Sequence, residues 1–116
     1  MKQLYILLAF GLFNLNINAQ CGENPAPIAN FSLTSEGGFK NIFFSDSSKI
    51  SSGSITSWKW DFGDGSPAST SQNPFYQYTA EGSFIVKLII TSNLGCKDSI
   101  SKTSWVIPVY TKHHHQ

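Results

Sequence analysis

Trp60-Asp61-Phe62-Gly63-Asp64-Gly65-Ser66 is the stretch on which the reading of this chain turns. Side chains two apart on an extended strand point the same way, so Trp60 and Phe62 fill one space. Their bulk suits the gap of about 10 Å between two stacked sheets. Gly63 and Gly65 can take the positive φ needed where a chain leaves a strand sharply. Asp61 and Asp64 are short side-chain acceptors for turn amides.

Working outward, Trp58 shares the parity of Trp60. The third strand, about 55–62, therefore turns two indoles toward a core rather than presenting them as a binding platform. Upstream, Ala29, Phe31 and Leu33 alternate with polar residues and make a first strand. Glu36-Gly37-Gly38 turns the chain, Ile42 and Phe44 mark a second strand, and 46–53 is a Ser-rich loop. Downstream, a Ser/Thr-rich loop leads to Asn73-Pro74 and a short strand over 75–78. Ala80-Glu81-Gly82 turns into the longest strand, 84–91, and Asn93-Leu94-Gly95 closes a hairpin into a last strand over 98–109. No helical period of useful length appears. The spacing predicts an all-β, immunoglobulin-like antiparallel β-sandwich of about seven strands.

Two segments carry a family resemblance. The first is Trp60 to Ser66, and the second is Asn73-Pro74-Phe75-Tyr76-Gln77-Tyr78 followed by Glu81-Gly82-Ser83-Phe84-Ile85-Val86-Lys87-Leu88. They resemble the PKD domain family, which reads W-D-F-G-D-G, N-P-x-H-x-Y and G-x-Y-x-V-x-L at this spacing. Gly95-Cys96-Lys97-Asp98-Ser99 also looks like modules of secreted bacterial proteins of the Bacteroidetes type. The resemblance covers roughly 26–109 and implies a structural role for Trp60, Asp61, Phe62, Gly63, Asp64, Gly65, Tyr78, Gly82 and Phe84. Two positions depart from it. The family's His is Tyr76, and the usual Tyr of G-x-Y is Phe84. Phe84 stands at a corner where a tyrosine hydroxyl would bond to backbone, so that bond, worth about 1 kcal/mol, is expected to be lost.

The ends read differently from the body. Residues 1–19 carry a lysine, an apolar run over 4–13 and a polar stretch ending in Ala19, the layout of a secretory leader. The apolar run of about ten residues is short of the roughly 20 that span a membrane. Residues 20–27 form a lead-in, 28–109 the domain, and 110–116 a flexible tail. Lipidation of Cys21 is disfavoured, because Asn18 and Gln20 stand where a Leu-like and a small residue belong. In an exported chain the two cysteines, Cys21 and Cys96, are expected to pair.

Composition narrows function. Net charge is +1, and the basic residues are scattered lysines with no arginine, so phosphate-backbone recognition is not supported. All three histidines lie in the run 113–115, leaving no imidazole in the domain body for nucleophilic catalysis. Asp61 and Asp64 sit on a turn, so acid–base chemistry is not expected. No enzyme activity and no cofactor are expected. Calcium wants six to eight oxygens. Asp61, Asp64 and Asp46 are the carboxylates considered for it, with turn capping as the plainer use.

On the long strand, Phe84, Val86, Leu88 and Ile90 take the inward parity, leaving Ile85 and Ile89 outward. On the last strand Ile100 and Val106 point in, which turns Trp105 outward. Trp105, Ile85 and Ile89 are the ligand-contact candidates, with Trp105 able to stack on a sugar or anchor a protein contact. The competing reading is a register shift or bulge that takes Trp105 into the core, since Ser104 occupies an inner position. The expectation is a secreted, non-catalytic module that contacts a cell-surface protein or polysaccharide, without nucleic acid and without a membrane span. The rival is a structural spacer or a fragment of a larger surface protein or hydrolase, stabilised by calcium or not.

Overall fold

The computed structural model describes Cys21 and residues 26–108. The expected leader, most of the lead-in and the tail lie outside the described residues. Six strands follow in order: β1 (Phe31–Ser35), β2 (Asn41–Asp46), β3 (Ile55–Asp61), β4 (Phe75–Gln77), β5 (Gly82–Ser92) and β6 (Lys97–Val106). They form two antiparallel three-stranded sheets, β1-β2-β4 and β3-β5-β6.

The architecture is the expected sandwich, with six strands rather than about seven. The segment between β3 and β4 carries Pro67 and Pro74, which lack an amide donor. Its one isolated bridge is Ser69 with Trp60, closed by two hydrogen bonds of 2.8 and 3.0 Å, and the Pro74 carbonyl accepts one more from the Phe44 amide at 2.9 Å.

The core follows the period of two. Phe31, Ile42 and Phe44 come from one sheet, and Trp60, Val86, Leu88, Ile90 and Val106 from the other. The Trp60 ring is fully buried and meets Phe31 and Phe44 of the facing sheet at centroid distances of 5.0 and 5.4 Å. Its indole N–H donates to the Ser71 carbonyl at 2.8 Å, as a buried indole requires. Trp58 packs against the same core but is only half-buried. Its N–H donates to Asp46 Oδ2 at 2.9 Å, and that partly exposed carboxylate holds the ring at the rim.

A disulfide and two side-chain hydrogen bonds tie the N-terminal part of the chain to the region around β6. Cys21 and Cys96 form a disulfide with Cα atoms 5.5 Å apart, closing a separation of 75 residues. A loop of that size stabilises by roughly 4–5 kcal/mol in the chain-entropy model. Independently, Asp98 Oδ2 accepts from the Ala29 amide at 2.8 Å, and Lys102 Nζ donates to the Phe31 carbonyl at 2.5 Å. These β6 side chains satisfy backbone groups at the start of β1 and just before it, and β1 is an edge strand of its sheet, which native proteins blunt in such ways.

Candidate functional site

The WDFGDG turn is built by its own acceptors. Asp61 Oδ1 accepts from the Gly63 amide at 2.9 Å. Asp64 Oδ1 accepts from the Ser66 amide and hydroxyl at 3.1 and 2.6 Å. Asp64 Oδ2 accepts from the Tyr76 hydroxyl at 2.5 Å. Burial pulls the Asp64 carboxyl up, but the bonds from Ser66 and Tyr76 outweigh it and hold it below the usual carboxylate value. Tyr76 is raised by burial and by the same Asp64 bond.

Asp46, on the other sheet, accepts from Ser48, Trp58 and Gln72. Among the described residues no three His, Cys, Asp or Glu side chains gather closely enough to hold a metal ion. Asp61, Asp64 and Asp46 each serve as acceptors for nearby donors.

Tyr76 does more than fill the place of the family's histidine. Its ring stacks on Phe62 at 4.2 Å and meets Tyr78 edge-on at 4.8 Å. Tyr78 in turn stacks on Phe84 at 4.5 Å. The hydroxyl-to-backbone bond expected to be lost with Phe84 is made instead by Tyr78, which donates to the Phe62 carbonyl at 2.8 Å. Phe84 is the packing partner of that tyrosine rather than its replacement.

The outer face of β3-β5-β6 carries the contact candidates. β5 and β6 pair without interruption from Gly82 with Val106 to Thr91 with Lys97, so no bulge turns Trp105 inward. Trp105 and Ile85 are each 65% exposed. Trp105 lies opposite Ser83 and Ile85 opposite Thr103, which makes the two apolar side chains diagonal neighbours. Ile89 does not join them. It is half-buried and separated from Ile85 by Lys87, about 13 Å along the strand at the usual rise.

A second exposed aromatic pair went unread in the sequence. Phe43 and Phe75 face each other across β2 and β4 with centroids 4.8 Å apart, 38% and 54% exposed. The signal was the alternation of Ile42 and Phe44 inward, which turns Phe43 out.

Comparison with known proteins then bears on the whole domain. A family model described as PKD domain matches residues 24–107. Collagenase ColQ1 of Bacillus cereus is 45% identical over 85 residues, which cover 72% of this chain and 9% of the collagenase. The PKD1 domain of Vibrio anguillarum Epp superposes with a TM-score of 0.67 at 32% identity, covering 72% of this chain and 95% of that domain. A structure from work on the promiscuous specificity of carbohydrate-binding modules of the β-sandwich superfamily gives a TM-score of 0.65 at 36% identity, over 71% of this chain and 34% of that one. The chain spans about a tenth or less of the length of the curated relatives it matches.

Proposed function

Because the chain belongs to the PKD domain family, we propose that it is a non-catalytic module that binds polysaccharide or protein outside the cell through the outer face of β3-β5-β6. One observation carries the reading. Trp105 stands 65% exposed on a regular strand beside the equally exposed Ile85. A rigid exposed aromatic offers a large contact area at little cost in side-chain entropy, and such residues anchor contacts. The carbohydrate-binding neighbour supports a sugar as partner.

Export is proposed on the leader-like residues 1–19 and on the Cys21–Cys96 disulfide, a bond that persists in oxidising compartments. Among the described residues no helix is long and apolar enough to cross a membrane.

The test is Trp105→Ala, screened on glycan and surface-protein arrays. Binding should fall by about tenfold or more while the thermal midpoint stays within about 2 °C, since an exposed substitution rarely shifts stability far. Unchanged binding would remove Trp105 from the contact. A second reading, a spacer within a larger surface protein or hydrolase, is favoured by the great length of the matched relatives. That reading predicts no partner for any surface of the isolated chain.

A further inference from the structure

The register of the β3-β5-β6 sheet lays out its whole outer face, and the end remote from Trp105 has a chemistry of its own. Across one row Thr70 follows the Ser69–Trp60 bridge to stand beside Lys59, which pairs with Ile89. The next row runs Ser57, Thr91, Lys97. These six residues, with the rest of the β3 segment 56–59, line an open depression of about 520 Å³. No acidic side chain is among its lining residues. Lys97 Nζ spends one donor on Thr91 Oγ1 at 3.0 Å, and an ammonium has three.

Over the full face the outward positions include Lys59, Lys87 and Lys97 against Asp61, a local charge of 3 − 1 = +2. Asp61 lies opposite Lys87 and already accepts from the Gly63 amide. Hydroxyls continue along β6 at Ser99, Ser101 and Thr103 to Trp105.

We propose that this depression is a subsite for an anionic group, carboxylate or sulfate, carried on a polysaccharide whose chain runs along the face toward Trp105. The inference rests on the proposed binding reading and deepens it. Two ammonium groups without a competing carboxylate attract an anion, and the bordering hydroxyls exchange hydrogen bonds with a polyol as readily as with water. From Lys97 to Trp105 is eight residues along one strand, about 27 Å at the antiparallel rise. That length suits an extended polymer rather than a single sugar. An acidic protein would match the charge but not the row of small hydroxyls that leads along β6 to one exposed indole, and protein contact cores are depleted in lysine.

The test measures binding of the full chain to matched pairs by affinity electrophoresis and calorimetry. Polygalacturonate is set against its methyl ester, and dextran sulfate against dextran. The anionic member of at least one pair should bind about tenfold or more tighter than its neutral partner, and binding should weaken as salt rises from 20 to 300 mM. The preferred pair identifies the anion. The double variant Lys59→Gln, Lys97→Gln should lose about tenfold on that polymer. The charge-matched control Lys40→Gln, Lys49→Gln, away from this face, should lose little.

Equal binding to neutral and anionic partners, with Trp105→Ala abolishing both, overturns the anionic subsite and leaves the binding module standing. Equal losses in the two double variants overturn it as general charge attraction. Tighter binding to polyglutamate than to either polysaccharide overturns the sugar class. If no polymer binds and Trp105→Ala changes nothing, the binding reading itself falls.

Discussion

The hydroxyl of Tyr78 donates to the carbonyl of Phe62 at 2.8 Å, reaching sixteen residues back along the chain to the end of the WDFGDG strand. This bond pins the approach to β5 onto the turn that follows β3, inside a row of four rings in which Phe62 stacks on Tyr76, Tyr76 meets Tyr78 edge-on, and Tyr78 stacks on Phe84. Tyr78→Phe keeps the rings and strands a buried carbonyl, so it should destabilise by about 1–2 kcal/mol in urea unfolding. The pH behaviour gives a second readout. Burial, and then the nearby Asp64 charge, raise the Tyr78 hydroxyl well above its ordinary value of 10.0. A raised acid contributes fully below the unfolded value, and its contribution is lost as pH climbs past it. Stability should therefore fall above about pH 10, by up to 1.4 kcal/mol per unit for one group. Tyr76 is raised too and acts in the same direction, so Tyr78→Phe should flatten the alkaline limb without abolishing it.

The sandwich and most of its core were legible because period-two alternation needs only neighbouring residues. Phe31, Ile42, Phe44, Trp60, Val86, Leu88, Ile90 and Val106 all fall where parity puts them. What the sequence did not disclose depends on distant partners. Nothing local says that Asp98 and Lys102, on inner positions of β6, reach the backbone of Ala29 and Phe31. Nor does spacing say that Tyr76 closes onto Asp64, or that Tyr78 makes the corner bond in place of Phe84. The outward parity of Trp105 and Ile85 was readable, while the Lys59–Lys97 depression requires the pairing of three strands and a bridge.

Gly63 and Gly65 share a φ of +83° but not an environment. A Cβ at Gly63 would lie 2.4 Å from the Ile85 carbonyl oxygen and 2.9 Å from its nitrogen, whereas one at Gly65 meets nothing within 4 Å. Gly65→Ala should cost about 1 kcal/mol, the strain of a side chain in the left-handed region. Gly63→Ala adds a clash with β5 backbone that no rotamer relieves, and should cost about 3 kcal/mol or more. Chemical denaturation of the two variants checks the order, and equal losses would contradict the close approach of the turn to β5.

Acid should weaken the fold through Asp46. Partial burial raises its carboxyl, but the bonds from Ser48, Gln72 and Trp58 outweigh that and leave it below the ordinary 3.8. A depressed acid contributes fully above the unfolded value and loses its contribution as pH falls through the folded one. The thermal midpoint should hold from pH 7 to about 5 and drop below pH 4. Asp46→Asn should lower it by the equivalent of about 1 kcal/mol at pH 7 and reduce the drop in acid. An acid limb of unchanged steepness in that variant would assign the effect to other carboxylates, Asp64 first.

Ser104 is the one inner-facing position of the β5–β6 pairing where a hydroxyl is fully buried without a hydrogen-bond partner, among the described residues. It sits opposite Phe84, at the end of the row of rings. A buried hydroxyl without a bond costs more to desolvate than its atoms return in packing. Ser104→Ala removes that oxygen at the price of a very small void, and should raise stability by about 0.5–1 kcal/mol in urea. Ser104→Val tests the space itself, since the added methyls fit only if the neighbouring Phe84 ring can yield. Because Ser104 and Trp105 point to opposite faces, both variants should leave binding through Trp105 unchanged. A loss of stability in Ser104→Ala would mean that the hydroxyl is bonded in solution, with the neighbouring Tyr78 hydroxyl as its acceptor.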